Sequence, residues 1–260
     1  MGRIFKYSFY DLVRGRWSLF YFLFYLLITS SLLYLSGNLS KVIISLMNVI
    51  LVLNPLISTI FGVMYFYNSR EFTELLLAQP IKRGNIFFGQ FLGLSTSLAL
   101  SFLLGVGVPF VVFGVMGSAE LGNFIILTIV GIALTYIFSA FAFLIALKND
   151  HRIKGFGLAI LFWLFMAVIY DGLFLLLVIT FNDYPLEKVV LFTTLLNPVD
   201  LSRILILLEL DISALMGYTG AVFNKFFGSN LGMAMAFSSL AVWLIAPVWY
   251  MLRLARKKDF

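Results

Sequence analysis

The chain has 260 residues, 62% of them hydrophobic and only 12% charged, with a mean hydropathy of +1.04. Soluble domains carry about 25% charged residues, so a soluble fold is excluded and an all-α polytopic membrane protein with a single membrane domain is expected. The net charge of +6 is no nucleic-acid signal, since no basic patch is interleaved with aromatics in a soluble region, and the absence of cysteine removes disulfides, thiolate metal sites and cysteine nucleophiles.

Residues 1–16 are too charged to cross a bilayer. Ile4, Phe5, Phe9, Leu12 and Val13 fall at helical spacing, with Arg3, Lys6, Asp11 and Arg14 mostly elsewhere around the helix. This predicts an amphipathic helix lying on the cytoplasmic leaflet. The first crossing covers about 17–36 and begins at Trp17, an interface anchor. Its apolar run is too long for a signal peptide and lacks a small-x-small cleavage site. Loop 37–41 holds Lys41. The second crossing, 42–68, contains Asn48 and the Asn54-Pro55 pair, which should kink it. In loop 69–85, Glu71 to Gln79 reads as a short charged helix ended by Pro80, followed by a turn with Lys82 and Arg83. The third crossing, 86–115, is roughly 45 Å long at 1.5 Å per residue, so it tilts, bends at Pro109 or protrudes. A turn at 116–122 carries Glu120, the fourth crossing is 123–147, and a basic loop at 148–155 contains His151, the sole histidine. The fifth crossing is 156–181 and the last 231–252.

The stretch 182–230 does not resolve so simply. Val189 to Leu196 is apolar but is interrupted by Asn197-Pro198, a good N-cap and first helical residue. Leu201, Ile204, Leu205 and Leu208 then form an amphipathic stripe. Neither half is long enough to span, so a re-entrant or surface helical hairpin on the outer face is expected, with a turn at Gly217–Gly220. Charge supports this count. Fourteen of the 18 lysines and arginines fall in 1–16, 69–85, 148–155 and 253–260; Lys41, Lys188, Arg203 and Lys225 lie elsewhere. Basic residues gather on the cytoplasmic side, so six crossings with both termini cytoplasmic are expected. A seventh would send Arg253, Arg256, Lys257 and Lys258 outside.

Few residues carry chemistry. The chain has no P-loop, zinc motif or nucleophile elbow, and one histidine builds no metal site, so no catalytic residue is expected. Asp171, preceded by Tyr170, is the one charged residue well inside a span. A carboxylate there requires a partner, water or a proton. It reads either as a pathway or gating residue or as a structural bond to a neighbouring helix; Asn54 is a second intramembrane polar residue. Met233 and Met235 are candidate Cu(I) ligands by thioether chemistry. On a helix, positions two apart diverge by about 200°, which favours packing instead. Gly89 and Gly93 make a GxxxG spacing that Ser97 and Ser101 continue, a candidate close helix contact. No repeat relates the two halves.

The basic amphipathic N-terminal helix, the six spans and the loop ETELLLAxPIxR-like run at 71–83 (EFTELLLAQPIKR) together resemble the type-2 permeases of ABC transporters. That resemblance implies a coupling helix on Arg70, Glu71, Glu74 and Leu77, backed by Pro80, Lys82 and Arg83, that docks on a separately encoded ATPase. ATP and magnesium would then sit on the partner, and this chain would bind no cofactor. Tyr170-Asp171 followed by LLNPVDLSRIL at 195–205 resembles, more narrowly, the membrane subunit of Nos-type transporters. Those serve copper-centre maturation of nitrous oxide reductase in denitrification. The Nos resemblance implies a homodimer in a prokaryotic cytoplasmic membrane, two ATPase subunits and a periplasmic β-helical copper-handling protein contacting the outer hairpin through Asn197, Asp200, Arg203 and Tyr218. Alternatives from the residues are an exporter of lipid, drug or polysaccharide, a proton-coupled carrier using Asp171, and a membrane scaffold.

Overall fold

The computed structural model describes residues 2–181, 187–210 and 230–257; the expected contacts at Tyr218, the Gly217–Gly220 turn, Lys225 and Lys258 lie outside them. Among the described residues every regular element is helical. In order these are α1 (Gly2–Arg14), α2 (Arg16–Ser36), α3 (Leu39–Asn68), α4 (Arg70–Leu77), α5 (Arg83–Val112), a 3-10 turn (Val115–Gly117) and α6 (Leu121–Lys148). Then come α7 (Arg152–Leu164), a π-helical turn (Phe165–Ile169), α8 (Tyr170–Thr180), α9 (Glu187–Leu195), α10 (Pro198–Glu209) and α11 (Asn230–Lys257).

Six helices are long and apolar enough to cross a membrane: α2, α3, α5, α6, the continuous run Arg152–Thr180, and Gly232–Lys257 within α11. They begin and end within a few residues of the apolar runs. The main shift is at Lys41, which lies in the first turn of α3 rather than in a loop. That helix starts early because the Asn38 side chain caps it, accepting from the Lys41 amide at 3.2 Å. Pro55 does not break the helix: α3 runs through it, and the Trp163 indole donates to the Val52 carbonyl one turn before, at 3.1 Å. A proline removes one helical donor nearby, and the fifth span seats an aromatic side chain at that loosened point.

The core lies between α3, α5 and α6. In the most apolar windows of α5 and α6, 61% of residues are buried, against 6% in the fifth span, so the bundle is built inward from α5 and α6 and leaves the fifth span on its rim. Tyr25, Phe87, Phe91, Phe102, Phe110, Phe138 and Phe143 are fully buried and fill the space between them. Burying aromatics of this size supplies much of the dispersion energy of a membrane bundle, where the hydrophobic effect between helices is weak.

The small-residue stripe on α5 has a specific occupant. A Cβ at Gly93 would stand 2.5 Å from the Ser8 Cβ, and one at Gly89 3.0 Å from Ile4. The GxxxG pair therefore receives α1, whose two buried residues are Ile4 and Ser8. One and two turns on, Ser97 and Ser101 meet Ser18 of α2 at 3.4 and 2.7 Å. Gly105 completes the series, where a Cβ would lie 2.8 Å from the Phe22 carbonyl oxygen. Every fourth residue of α5 is small, and the groove so formed takes α1 and then α2.

Candidate functional site

All four basic stretches meet at one end of the bundle through their described residues. Tyr7 of α1 stacks on Phe72 of α4 with ring centroids 4.5 Å apart. Tyr67, at the end of α3, donates its hydroxyl to the Asn149 carbonyl at 2.6 Å, tying the base of α4 to the turn before α7. The Arg256 side chain of α11 lies over Gly84 at the start of α5, with Nε 3.8 Å from where a Cβ would stand.

At this end α4 is a short amphipathic helix, held on one side and free on the other. Thr73, its one buried residue, accepts a hydrogen bond from Gln90 of α5 at 2.8 Å and donates to the Ser69 carbonyl at 2.8 Å. Arg70, Glu71 and Glu74 are exposed, with Arg70 and Glu74 forming an i,i+4 pair at 2.9 Å. With both partners more than half exposed, that pair contributes a few tenths of a kcal/mol at most and orients rather than anchors. Glu74, Leu77 and Arg83 line one open cleft of about 500 Å³, while Pro80 and Lys82 are exposed in the turn between α4 and α5. Behind the helix, Tyr67, Arg70, Thr73, Glu74 and Asn149 border a cavity of about 30 Å³, room for a water. The seven residues singled out in this loop thus share one end of the bundle, four on α4, Pro80 and Lys82 in the turn and Arg83 at the start of α5. His151 is exposed at the turn before α7.

Tyr67, Gln90, Tyr7 and Phe72 are the residues that hold α4, and the sequence reading missed them. Gln90 carried a faint signal as an isolated amide in an apolar run. Tyr67 and Phe72 read as an ordinary aromatic belt.

The polar residues of the fifth span form a second cluster toward the other end. Asp171 receives the Arg203 guanidinium on both oxygens, at 2.9 and 2.8 Å. Its partner is therefore an arginine of α10 and not a serine or asparagine of a neighbouring span. The α9–α10 pair bends by 111° at Leu196–Asn197. The Asn197 side chain caps α10 by accepting from the Val199 amide at 2.9 Å, and its amide nitrogen donates to the Met166 carbonyl at 2.8 Å and to Asp200 at 3.1 Å. Met166 belongs to the π turn, where the wider ring frees carbonyls from their usual partners. Tyr170 donates to the Thr193 carbonyl at 2.5 Å. Asn197 and Asp200 are 0% and 7% exposed, so both face inward. Asp171 and Arg203 are the partly exposed members, with side chains 34% and 26% accessible.

Asn54 lies elsewhere, in the core. Tyr21, at 3.0 Å, and Tyr25 donate to its side-chain oxygen, and its nitrogen donates to the Gly131 carbonyl at 3.1 Å. Every hydrogen-bonding direction of that amide but one is used, which marks a structural linchpin between α2, α3 and α6. Met233 is partly buried and Met235 is 49% exposed, the divergence expected for neighbours two apart on a helix.

No family model matches the chain. Two curated proteins do, each described as a probable ABC transporter permease protein NosY. The protein of Stutzerimonas stutzeri is 28% identical over 183 residues, and that of Pseudomonas aeruginosa 26% identical over 180 residues. Each match covers 67% of this chain and 62% of the relative, so the chain spans less than two thirds of the length of the relatives it matches. Six apolar helices and these bacterial relatives make it a multi-pass protein of a prokaryotic cytoplasmic membrane. What this chain is similar to, over two thirds of its length, is the permease of ABC transporters and, among those, the Nos type.

Proposed function

We propose that this chain is the membrane subunit of an ATP-driven transporter, with its basic end on the cytoplasmic side and α4 as the helix on which a separate ATPase docks. The carrying observation is the construction of α4. One face is bound to α1 and α5 through Phe72 and Thr73, while Arg70, Glu71 and Glu74 stay exposed. A rigidly backed helix with a charged outer face passes force, whereas a loop would absorb it. Tyr67 spreads the load to the Asn149 turn, and α1 spreads it to the groove on α5.

The similarity to the Nos type supports a finer reading: a homodimer with two ATPase subunits that serves copper-site maturation of nitrous oxide reductase through an outer partner. The exposed apolar face of the fifth span suits a second copy. Arg203, partly exposed on α10, suits the outer protein. In this reading copper is the cargo of that partner, and this chain relays movement.

The experiment is co-expression with an ABC-transporter ATPase subunit as the partner. Glu71→Lys with Glu74→Lys should leave the permease folded while reducing ATPase co-purification and permease-stimulated ATP hydrolysis at least tenfold. Unchanged stimulation in that variant would refute α4 as the docking helix. Transport driven by a proton gradient without any ATPase, and lost in Asp171→Asn, would replace the reading with a secondary carrier.

A further inference from the structure

The cluster around Asp171 is built like a fastening between two elements, and its members are distributed accordingly. Three bonds cross from the fifth span to the α9–α10 hairpin: Arg203 to Asp171, Asn197 to the Met166 carbonyl, and Tyr170 to the Thr193 carbonyl. All start from a stretch of six residues, 166–171, spanning the π turn and the first residues of α8. On its other side the hairpin is bonded to α11, where the Trp243 indole donates to the Leu195 carbonyl at 3.0 Å.

The placement of Asp200 is what distinguishes a fastening that opens from a permanent one. Even a partly buried arginine stripped of its carboxylate is unfavourable in a membrane protein. Arg203 has a second carboxylate within reach, since Asp200 on its own helix stands 3.5 Å away. The Asp200 side chain is steadied by Asn197 at 3.1 Å. When the fifth span draws away, Arg203 keeps Asp200 as its partner, and Asp171, whose side chain is 34% accessible, gives up the pair. In the closed arrangement the two carboxylates share one guanidinium and repel each other, which keeps the closed state from being too deep.

We propose that Asp171, Asn197 and Arg203 form a latch between the fifth span and the outer hairpin, with Asp200 as the alternative partner that lets it open. The π turn gives the latch its seat. Its freed carbonyl takes Asn197, and π turns are a common place for a helix to kink. The latch belongs to this chain alone and holds whether or not an ATPase drives it.

Hydrogen exchange on the full-length protein in lipid nanodiscs tests both halves. Asp171→Asn should speed exchange of the amides in α10 by about tenfold, because the hairpin loses its main tie. The charge swap Asp171→Arg with Arg203→Asp should restore slow exchange, which separates pairing from mere misfolding. Asp200→Asn should slow exchange below wild type, since it removes the repulsion in the closed state and the second partner in the open one. Exchange unchanged in Asp171→Asn, or a charge swap as fast as the single variant, overturns the latch. Exchange in Asp200→Asn at or above the wild-type rate overturns the hand-off.

Discussion

Gly155 and Tyr67 offer the sharpest test of how the basic end is held together. A Cβ built on Gly155 would sit 2.0 Å from the Tyr67 hydroxyl oxygen and 2.9 Å from the ring carbon that bears it. The first distance falls about 1.4 Å short of ordinary contact near 3.4 Å, so in Gly155→Ala the hydroxyl must leave. Its hydrogen bond to the Asn149 carbonyl, 2.6 Å long, then breaks. A lost bond of this kind costs about 1 kcal/mol, and overpacking adds about 1–3 kcal/mol. Gly155→Ala should therefore destabilise by about 2–4 kcal/mol. Tyr67→Phe alone should cost about 1 kcal/mol and at the same time remove the atom that clashes. In the double variant the alanine should cost only about 1 kcal/mol, leaving a favourable coupling of about 1–3 kcal/mol between the two positions. Equilibrium unfolding of the purified protein, followed by tryptophan fluorescence in one detergent, measures all four variants. If Gly155→Ala costs as much in the Tyr67→Phe background as in wild type, the contact does not govern the site and the reasoning fails.

Two further outcomes follow from other contacts. Gly93→Val places side-chain carbon against Ser8, 2.5 Å from its Cβ, and should lift α1 from its groove, so trypsin should cut after Lys6 and Arg14 at least tenfold faster than in wild type while the spans stay protected. A cutting rate equal to wild type would show that α1 does not depend on this groove. Asn54→Leu removes the acceptor of two buried tyrosine hydroxyls and should lower stability by about 2–6 kcal/mol, at about 1–3 kcal/mol for each stranded group. A thermal midpoint unmoved in that variant would mean the phenols find other partners.

The spans were legible because apolar length is what a bilayer selects, and that is written residue by residue. Helix α4 was legible for a similar reason, since Pro80 and the alternation of charged and apolar residues from Glu71 bound it locally. The bend at Asn197-Pro198 was readable from cap chemistry alone. What escaped the sequence were pairings over distance. Asp171 announced the need for a partner, but Arg203 lies 32 positions later and looked like a solvated residue of an outer loop. The Nos resemblance implied outer contacts through Asn197 and Asp200; the structure turns both inward, since the freed carbonyl of a π turn gives the amide somewhere to go. Periodicity cannot reveal a π turn, as its five residues, FMAVI, are as apolar as their neighbours. The GxxxG spacing signalled a close approach without naming its occupant, and the occupant proved to be the amphipathic helix at the start of the chain. Tyr67 shows the same limit: an aromatic at a span end has many ordinary uses, and only the neighbouring turn at Asn149 discloses this one.

The groove on α5 also dictates an order of assembly. The first two helices dock on residues 89 to 105, which leave the ribosome well after them. Until then Ser18 faces lipid without its partners Ser97 and Ser101, and α1 has only the headgroup region to rest on. The newborn chain must hold its leading segment in reserve, then fold it back once the third span has entered the membrane.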